Sequence, residues 1–274
     1  MNIKNILKIL LLLISCVFIS CSDNKDNKND KRIIKIALVG ASDTFIWKPI
    51  IEKLNKDGIK IELVDFYDYD IPNRALNDGE VDLNAFQHHA YFDNQVKENG
   101  YNITPIADTY ISAMNIHSKQ ITNINQIKEE DTVVIPKDPS NTARALKVLQ
   151  AAGIIKLKEE AGDFPSTNDI IDNLLNIKIM EVKSIDIYSV LNDVACAVIN
   201  ANYAMDMGLN QGTDYIFQDD PSIYSGNSFI NLIAARTKDK NNPVYKKIVE
   251  TYQSSETEKV YEKYFKGAYL PAWK

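Results

Sequence analysis

Phe86-Gln87-His88-His89-Ala90-Tyr91-Phe92 concentrates two imidazoles, an amide and three aromatic rings in one short segment. Paired imidazoles could hold a metal ion or move a proton. Zinc, however, takes three or four His, Cys or carboxylate ligands, and adjacent side chains diverge. The remaining histidine, His117, lies far along the chain. Neither a metal site nor a cofactor is therefore expected. Covalent and phosphoryl chemistry fare no better. There is no Gly-rich phosphate loop and no nucleophile elbow, and Gly40-Ala41-Ser42-Asp43 lacks the further glycines of a dinucleotide fingerprint. Cys196 has no histidine near it in sequence and sits in the apolar run Val194 to Ile199, where a thiol behaves as a small hydrophobe. Enzyme activity is not expected. Rings, imidazole and amide together suit the gripping of something small.

Val81, Leu83 and Ala85 alternate with Asp82, Asn84 and Phe86, so a strand runs into a helix there. Ligands of α/β sheets bind at the carboxyl ends of strands. Ile33 to Val39, Ile59 to Phe66, Val81 to Phe86 and Ile103 to Ile111 read as strands. Helices are expected over 44–56, 72–78 and 89–99, closed by Gly58, Gly79 and Gly100. A second set of strands follows at 132–136, 178–183 and 195–199. The helix after Pro136 has Asp138 as cap, Pro139 at its first position and Gly153 past its end. Ser166 with Asp169 makes a capping box, and a further helix is expected there. Asn231 to Arg236 reads as a late strand, and helices over 244–254 and 256–266 finish the chain. Such alternation predicts parallel sheet covered by helices.

Several stretches together carry a resemblance. Asp82-Leu83-Asn84-Ala85-Phe86-Gln87-His88-His89-Ala90-Tyr91 resembles the signature of the MetQ/NlpA family, lipoproteins that bind methionine for an ABC importer. Tyr69-Asp70-Ile71-Pro72-Asn73-Arg74-Ala75-Leu76, the run from Ile135 to Leu146, Val198-Ile199-Asn200-Ala201-Asn202-Tyr203-Ala204 and, more loosely, Asn231 to Arg236 agree in the same order. The similarity runs from about Ile34 to the C-terminus. It implies an α/β chain with the two-lobed periplasmic-binding-protein (type II-like) fold, its ligand cleft between the lobes. On that basis lobe I is expected at 33–112 plus 229–274, and lobe II at 113–228.

The resemblance also implies the site. A zwitterionic amino acid needs a cation for its carboxylate, acceptors for its ammonium and a wall for its side chain. Arg144 is the expected carboxylate partner, since its planar fork can donate two parallel hydrogen bonds. A solvated surface position is the alternative for a helical arginine. Asn141, Asn200, Asn202 and Asn231 are expected to supply amides, although asparagine is also common at caps and turns. Tyr69, Phe86, His88 and Tyr91 would form the wall, where aromatic faces suit a thioether. His89 is expected behind them or at the surface. Methionine, most of all L-methionine, is the implied ligand; D-methionine, a methionine dipeptide or another apolar amino acid on a surface lipoprotein or antigen remain open. The implied partner is an ABC permease with a cytoplasmic ATPase. Two departures touch this picture: Ser112-Ala113-Met114 stands where the family commonly has a proline, and Ile185-Asp186-Ile187-Tyr188 replaces a Gln-Leu-Pro-Arg run.

The ends of the chain and its charge complete the reading. Lys4 and Lys8 precede an apolar run over 9–19, too short for a membrane span and typical of a secretory signal. Phe18-Ile19-Ser20-Cys21 ends it as a lipobox; Leu13-Ile14-Ser15-Cys16 also fits but would leave an apolar tail on the mature chain. A signal peptide over 1–20, lipidation at Cys21 and a disordered polar tether over 21–32 are expected. The protein would then sit in the bacterial cell envelope, held to the membrane by that lipid on its periplasmic or extracellular face. Without Lys4 and Lys8, 29 basic residues face 37 acidic ones, a balance of −8. An acidic surface with no basic stripe argues against nucleic-acid binding.

Overall fold

The computed structural model describes residues 33–221, 224 and 226–273. The expected signal segment, tether, Cys16 and Cys21 lie outside the described residues. Ile34 to Val39 is apolar at nearly every position, as a strand covered on both faces must be, and it forms β1 (Ile34–Val39). The chain continues through α1 (Thr44–Lys56), β2 (Ile61–Phe66), α2 (Pro72–Asp78), β3 (Leu83–His88), α3 (His89–Asn99) and β4 (Ile103–Ser112). A second set comprises β5 (Ile116–His117), β6 (Thr132–Pro136), α4 (Pro139–Ala151), the ribbon of β7 (Lys156–Leu157) and β8 (Ile170–Asp172), and β9 (Lys178–Val182). It ends with α5 (Ile187–Val190), β10 (Cys196–Val198) and α6 (Ala201–Asp206). β11 (Ile230–Arg236), α7 (Pro243–Tyr252), α8 (Ser255–Val260) and β12 (Tyr269–Pro271) complete the order.

The first sheet runs β12-β4-β11-β3-β1-β2, and the second β5-β10-β6-β9. Each has its own core. Under the first, α1 buries Ile46, Trp47, Ile50 and Leu54, and Trp47 lies 5.1 Å from the Tyr252 ring of α7. Each such side chain contributes roughly 1.5–3 kcal/mol by leaving water. Leu146, Leu149 and Val148 of α4 pack with Val133, Ile135 and Cys196 in the second core. A third cluster joins the two halves: Val39, Phe86 and Tyr91 meet Val134, Ile187, Ala197, Ile199 and Tyr203. The contact is close. Ser42 donates its backbone N–H to Asp206 Oδ1 at 2.9 Å. Gly40, at φ +86°, leaves room for that carboxylate, because a Cβ there would lie 1.8 Å from Asp206 Oδ2.

Four expectations need correction. The first sheet is mixed rather than parallel: β2, β1 and β3 are parallel, but β11 returns antiparallel to both β3 and β4. No helix follows Ser166. The capping box is present, yet it closes a single turn over Thr167–Asp169, and Ile170 to Asp172 then pairs with β7. The apolar β-branched pair Ile170-Ile171 favours pairing over helix. The last helix leaves α geometry at Tyr261 for a wider turn over Tyr261–Phe265. Finally, helices do not finish the chain, since β12 adds an edge strand to β4.

Candidate functional site

β3 ends on His88, which is also the N-cap of α3. Its Nδ1 accepts the Tyr91 N–H at 3.1 Å, so Nε2 carries the proton and donates to Asn141 Oδ1 at 3.2 Å. Burial, reinforced by the nearby Arg144 cation, pushes the His88 pKa down to about 3, so the ring is neutral. This turn also aims the rings. Tyr69 stacks on Phe86 at 5.8 Å and meets the edge of Tyr91 at 5.7 Å, while Phe86 and Tyr91 are 6.3 Å apart. Tyr203, which sequence reasoning did not single out, extends the cluster 4.9 Å from Tyr69. His89 turns away and bonds Asp108 at 2.6 Å.

The polar end comes from the second sheet and α4. Asp138 caps α4 and receives Asn141 three ways: from the backbone N–H at 2.9 Å, and from Nδ2 at 3.1 and 3.0 Å. These bonds fix the Asn141 amide with its oxygen outward. That oxygen accepts from His88 and, at 2.8 Å, from Asn200 Nδ2. Asn141 is thus fully committed within the protein. Asn200, just beyond β10, is not: its Oδ1 is buried without a partner. Arg144 is 2% exposed. Its Nη2 donates to the Ser112 carbonyl and to Asp219 Oδ2 at 3.3 Å, and its guanidinium lies 5.1 and 5.2 Å from the Tyr224 and Phe229 rings. Nε, however, is buried and unpartnered. Asn202 bridges the halves, accepting from Tyr69 Oη at 2.7 Å and donating to the Val39 carbonyl at 3.1 Å. Asn231 donates to the Tyr110 carbonyl at 3.3 Å.

All nine residues expected at the site line one cavity. Gln87, Tyr110, Ser112, Ala201 and Tyr269 complete the lining. Tyr110 and Tyr269 stack at 4.1 Å, and both hydroxyls donate to Asp43, at 2.9 and 3.2 Å. Burial raises the Asp43 pKa to about 7 against those two bonds. Tyr110 could have been noticed in its predicted strand. Tyr269 follows the expected terminal helix, and nothing local marked it. Asp219 lies in a stretch with no periodicity at all.

Residues 34–273 match the NlpA lipoprotein family. The chain is 34% identical over 266 residues to the D-methionine-binding lipoprotein MetQ of Escherichia coli, spanning 96% of this chain and 95% of that one. It superposes with a TM-score of 0.80 on a nutrient binding protein from Burkholderia cenocepacia bound to methionine, at 38% identity over 87% of this chain and 99% of the other. The substrate binding protein of a methionine transporter from Streptococcus pneumoniae gives 0.81, at 34% identity, 88% and 96% coverage. This chain belongs to the NlpA lipoprotein family.

Against the NlpA pattern, the two departures fall in different places. Ser112 lines the cavity and holds Arg144, and Met114 donates its N–H to Asp219 at 2.9 Å. Ile185 and Tyr188 lie outside the cavity lining and pack on the cluster between the halves. Among the described residues of this NlpA lipoprotein, no three His, Cys, Asp or Glu side chains are placed to hold a metal ion. No described helix is long and apolar enough to cross a membrane.

Proposed function

We propose that this chain is the solute-binding component of an ABC importer and that its cavity holds methionine, the L-form foremost, as the zwitterion. One observation carries the reading. Two buried polar atoms of opposite sense, the Arg144 Nε donor and the Asn200 Oδ1 acceptor, lack partners in the same ring-lined cavity. Buried polar groups are normally satisfied, and an α-amino acid brings a carboxylate to one and an ammonium to the other. The rings of Tyr69, Phe86 and Tyr91 suit an unbranched thioether, and methionine-binding relatives agree with that choice. Arg144, Asn200 and Asn231 are the polar contacts in this reading. Asn141 and His88 orient them, and Asn202 fastens the closed halves together. No side chain performs chemistry on the ligand; it binds and releases.

Ligand contacts from both halves favour the closed form, the hinge mechanism of such receptors. In this reading the closed form docks on a membrane permease driven by a cytoplasmic ATPase, and a lipid on Cys21 keeps the receptor in the envelope. The test is a thermal-shift series on purified protein freed of co-purified ligand by unfolding and refolding. Saturating L-methionine is expected to stabilise it by about 3–4 kcal/mol. A larger shift with D-methionine, a methionine dipeptide or leucine would reassign the ligand. No shift with any of them would remove the amino-acid reading.

A further inference from the structure

Arg144 does not face the cavity as a bare cation. Asp219, 1% exposed, lies 3.3 Å from its Nη2. The same carboxylate accepts the Met114 N–H at 2.9 Å and the Tyr224 hydroxyl at 2.7 Å. All three partners donate to it, so its oxygens face donors alone. Of the other carboxylates near the cavity, Asp138 is turned away, spent on Asn141 and Ser140 and facing an outer depression shared with Lys137 and Lys183, while Asp43 lies behind Tyr110 and Tyr269 and accepts both their hydroxyls. His88 is neutral, and burial raises the pKa of Tyr69, Tyr91, Tyr110 and Tyr269, keeping those hydroxyls protonated. The guanidinium is therefore paired with Asp219, and none of the described residues that line the cavity carries an uncompensated charge.

We propose that Asp219 is a specificity-determining residue that sets the charge class of the ligand. By neutralising the buried guanidinium it admits net-neutral zwitterions and turns away isosteric anions that an unpaired arginine would capture. Charges interact strongly where water is excluded, so cancelling the monopole removes a long-range attraction for any carboxylate. The Nε–H donor remains, and it serves a carboxylate only when the ligand's own ammonium compensates. Asp219 touches no ligand in this arrangement; it acts through Arg144.

The inference rests on the amino-acid reading above, and one ligand pair separates the two. 2-Hydroxy-4-(methylthio)butanoate has methionine's shape with a hydroxyl in place of the ammonium, and so carries one negative charge. Calorimetric titration of the full chain in detergent is expected to show methionine binding at least about tenfold more tightly than this analogue. Equal affinities would overturn the inference, and this arm needs no variant. In Asp219→Asn the preference for methionine over the analogue is expected to shrink by about tenfold or more, and Asp219→Glu to restore most of it. The Asn200 acceptor is common to all three proteins, so it cancels from the comparison. A folded Asp219→Asn variant whose preference stays within about twofold of the parent refutes the role of Asp219 while leaving methionine binding intact. A parent chain that binds neither compound refutes both readings.

Discussion

The two ends of the cavity are built on different principles. The ring end, from β3, α3 and the loop carrying Tyr69, is satisfied by its own packing: Tyr69, Phe86 and Tyr91 contact one another and Tyr203 whether or not anything is bound. The polar end, from α4 and the segment just after β10, is incomplete, because Arg144 Nε and Asn200 Oδ1 have no partner among the described residues. Shape is thus supplied in advance, while two hydrogen-bonding atoms are left open. Substitutions at the ring end should retune which side chain is preferred. Those at the polar end should decide whether anything binds.

The largest expected effect is at Arg144. Arg144→Ala should weaken methionine binding about a thousandfold, as loss of a buried charge-assisted partner does. The empty fold should suffer too, because Arg144 is paired with buried Asp219: an uncompensated carboxylate should cost about 3–5 kcal/mol of stability. Denaturant unfolding and calorimetry on one preparation check both figures, and an affinity within tenfold of the parent would dissolve the contrast between the two ends.

Next comes Asp43, beneath Tyr110 and Tyr269. Its pKa is about 7 when folded against 3.8 ordinarily, so its protonated form stabilises the fold below pH 3.8, and that contribution fades as pH rises towards 7. Asp43→Asn should therefore gain on the parent by about 1.4 kcal/mol per pH unit between those values. His88 slopes the other way. Its folded pKa of about 3, below the usual 6.5, gives stability that is present above pH 6.5 and lost as pH falls towards 3. The parent's melting temperature should hence vary little between pH 4.5 and 6.5, whereas that of Asp43→Asn should fall on acidification; parallel profiles would show that Asp43 does not titrate there.

Smaller effects sharpen the contrast. Asn200→Ala should cost methionine about 2 kcal/mol, as a lost bond to a charged group does. The hydroxy analogue should lose much less, and an equal loss for both in titration would take the ammonium away from Asn200. Phe86→Leu should leave overall affinity within a few-fold but reduce the preference for methionine over norleucine by about 1 kcal/mol, the worth of a sulfur–ring contact. Competition between the two ligands measures it directly.

The ring end was the more legible in sequence because its residues are consecutive: a strand that ends on Phe86-Gln87-His88 and a helix that begins at once leave little choice of direction. Arg144 and Asn141 could be placed because Asp138 and Pro139 mark where their helix starts. Asp219 could not. It belongs to no periodic segment, and its partners Met114 and Arg144 are 105 and 75 residues away. The helix expected at Ser166 failed for a related reason: a capping box is satisfied by one turn, and the path of the chain beyond that turn depends on β7. Likewise, alternation of strands and helices gives no hint that β11 returns against the direction of β3.

The fastening of Arg144 has a mechanical consequence. The chain passes between its two sheets after Ser112 and again between Asp219 and β11, and the guanidinium is tied to the first crossing through Ser112 and to the second through Asp219. In the proposed hinge closure, a side chain moored to both crossings would sit at the fulcrum, where rotation of one half against the other produces the least travel. A carboxylate gripped there would stay nearly still as the halves part, while the aromatic flank swings off the far end of the cargo. Release would then begin at the thioether and finish at the carboxylate.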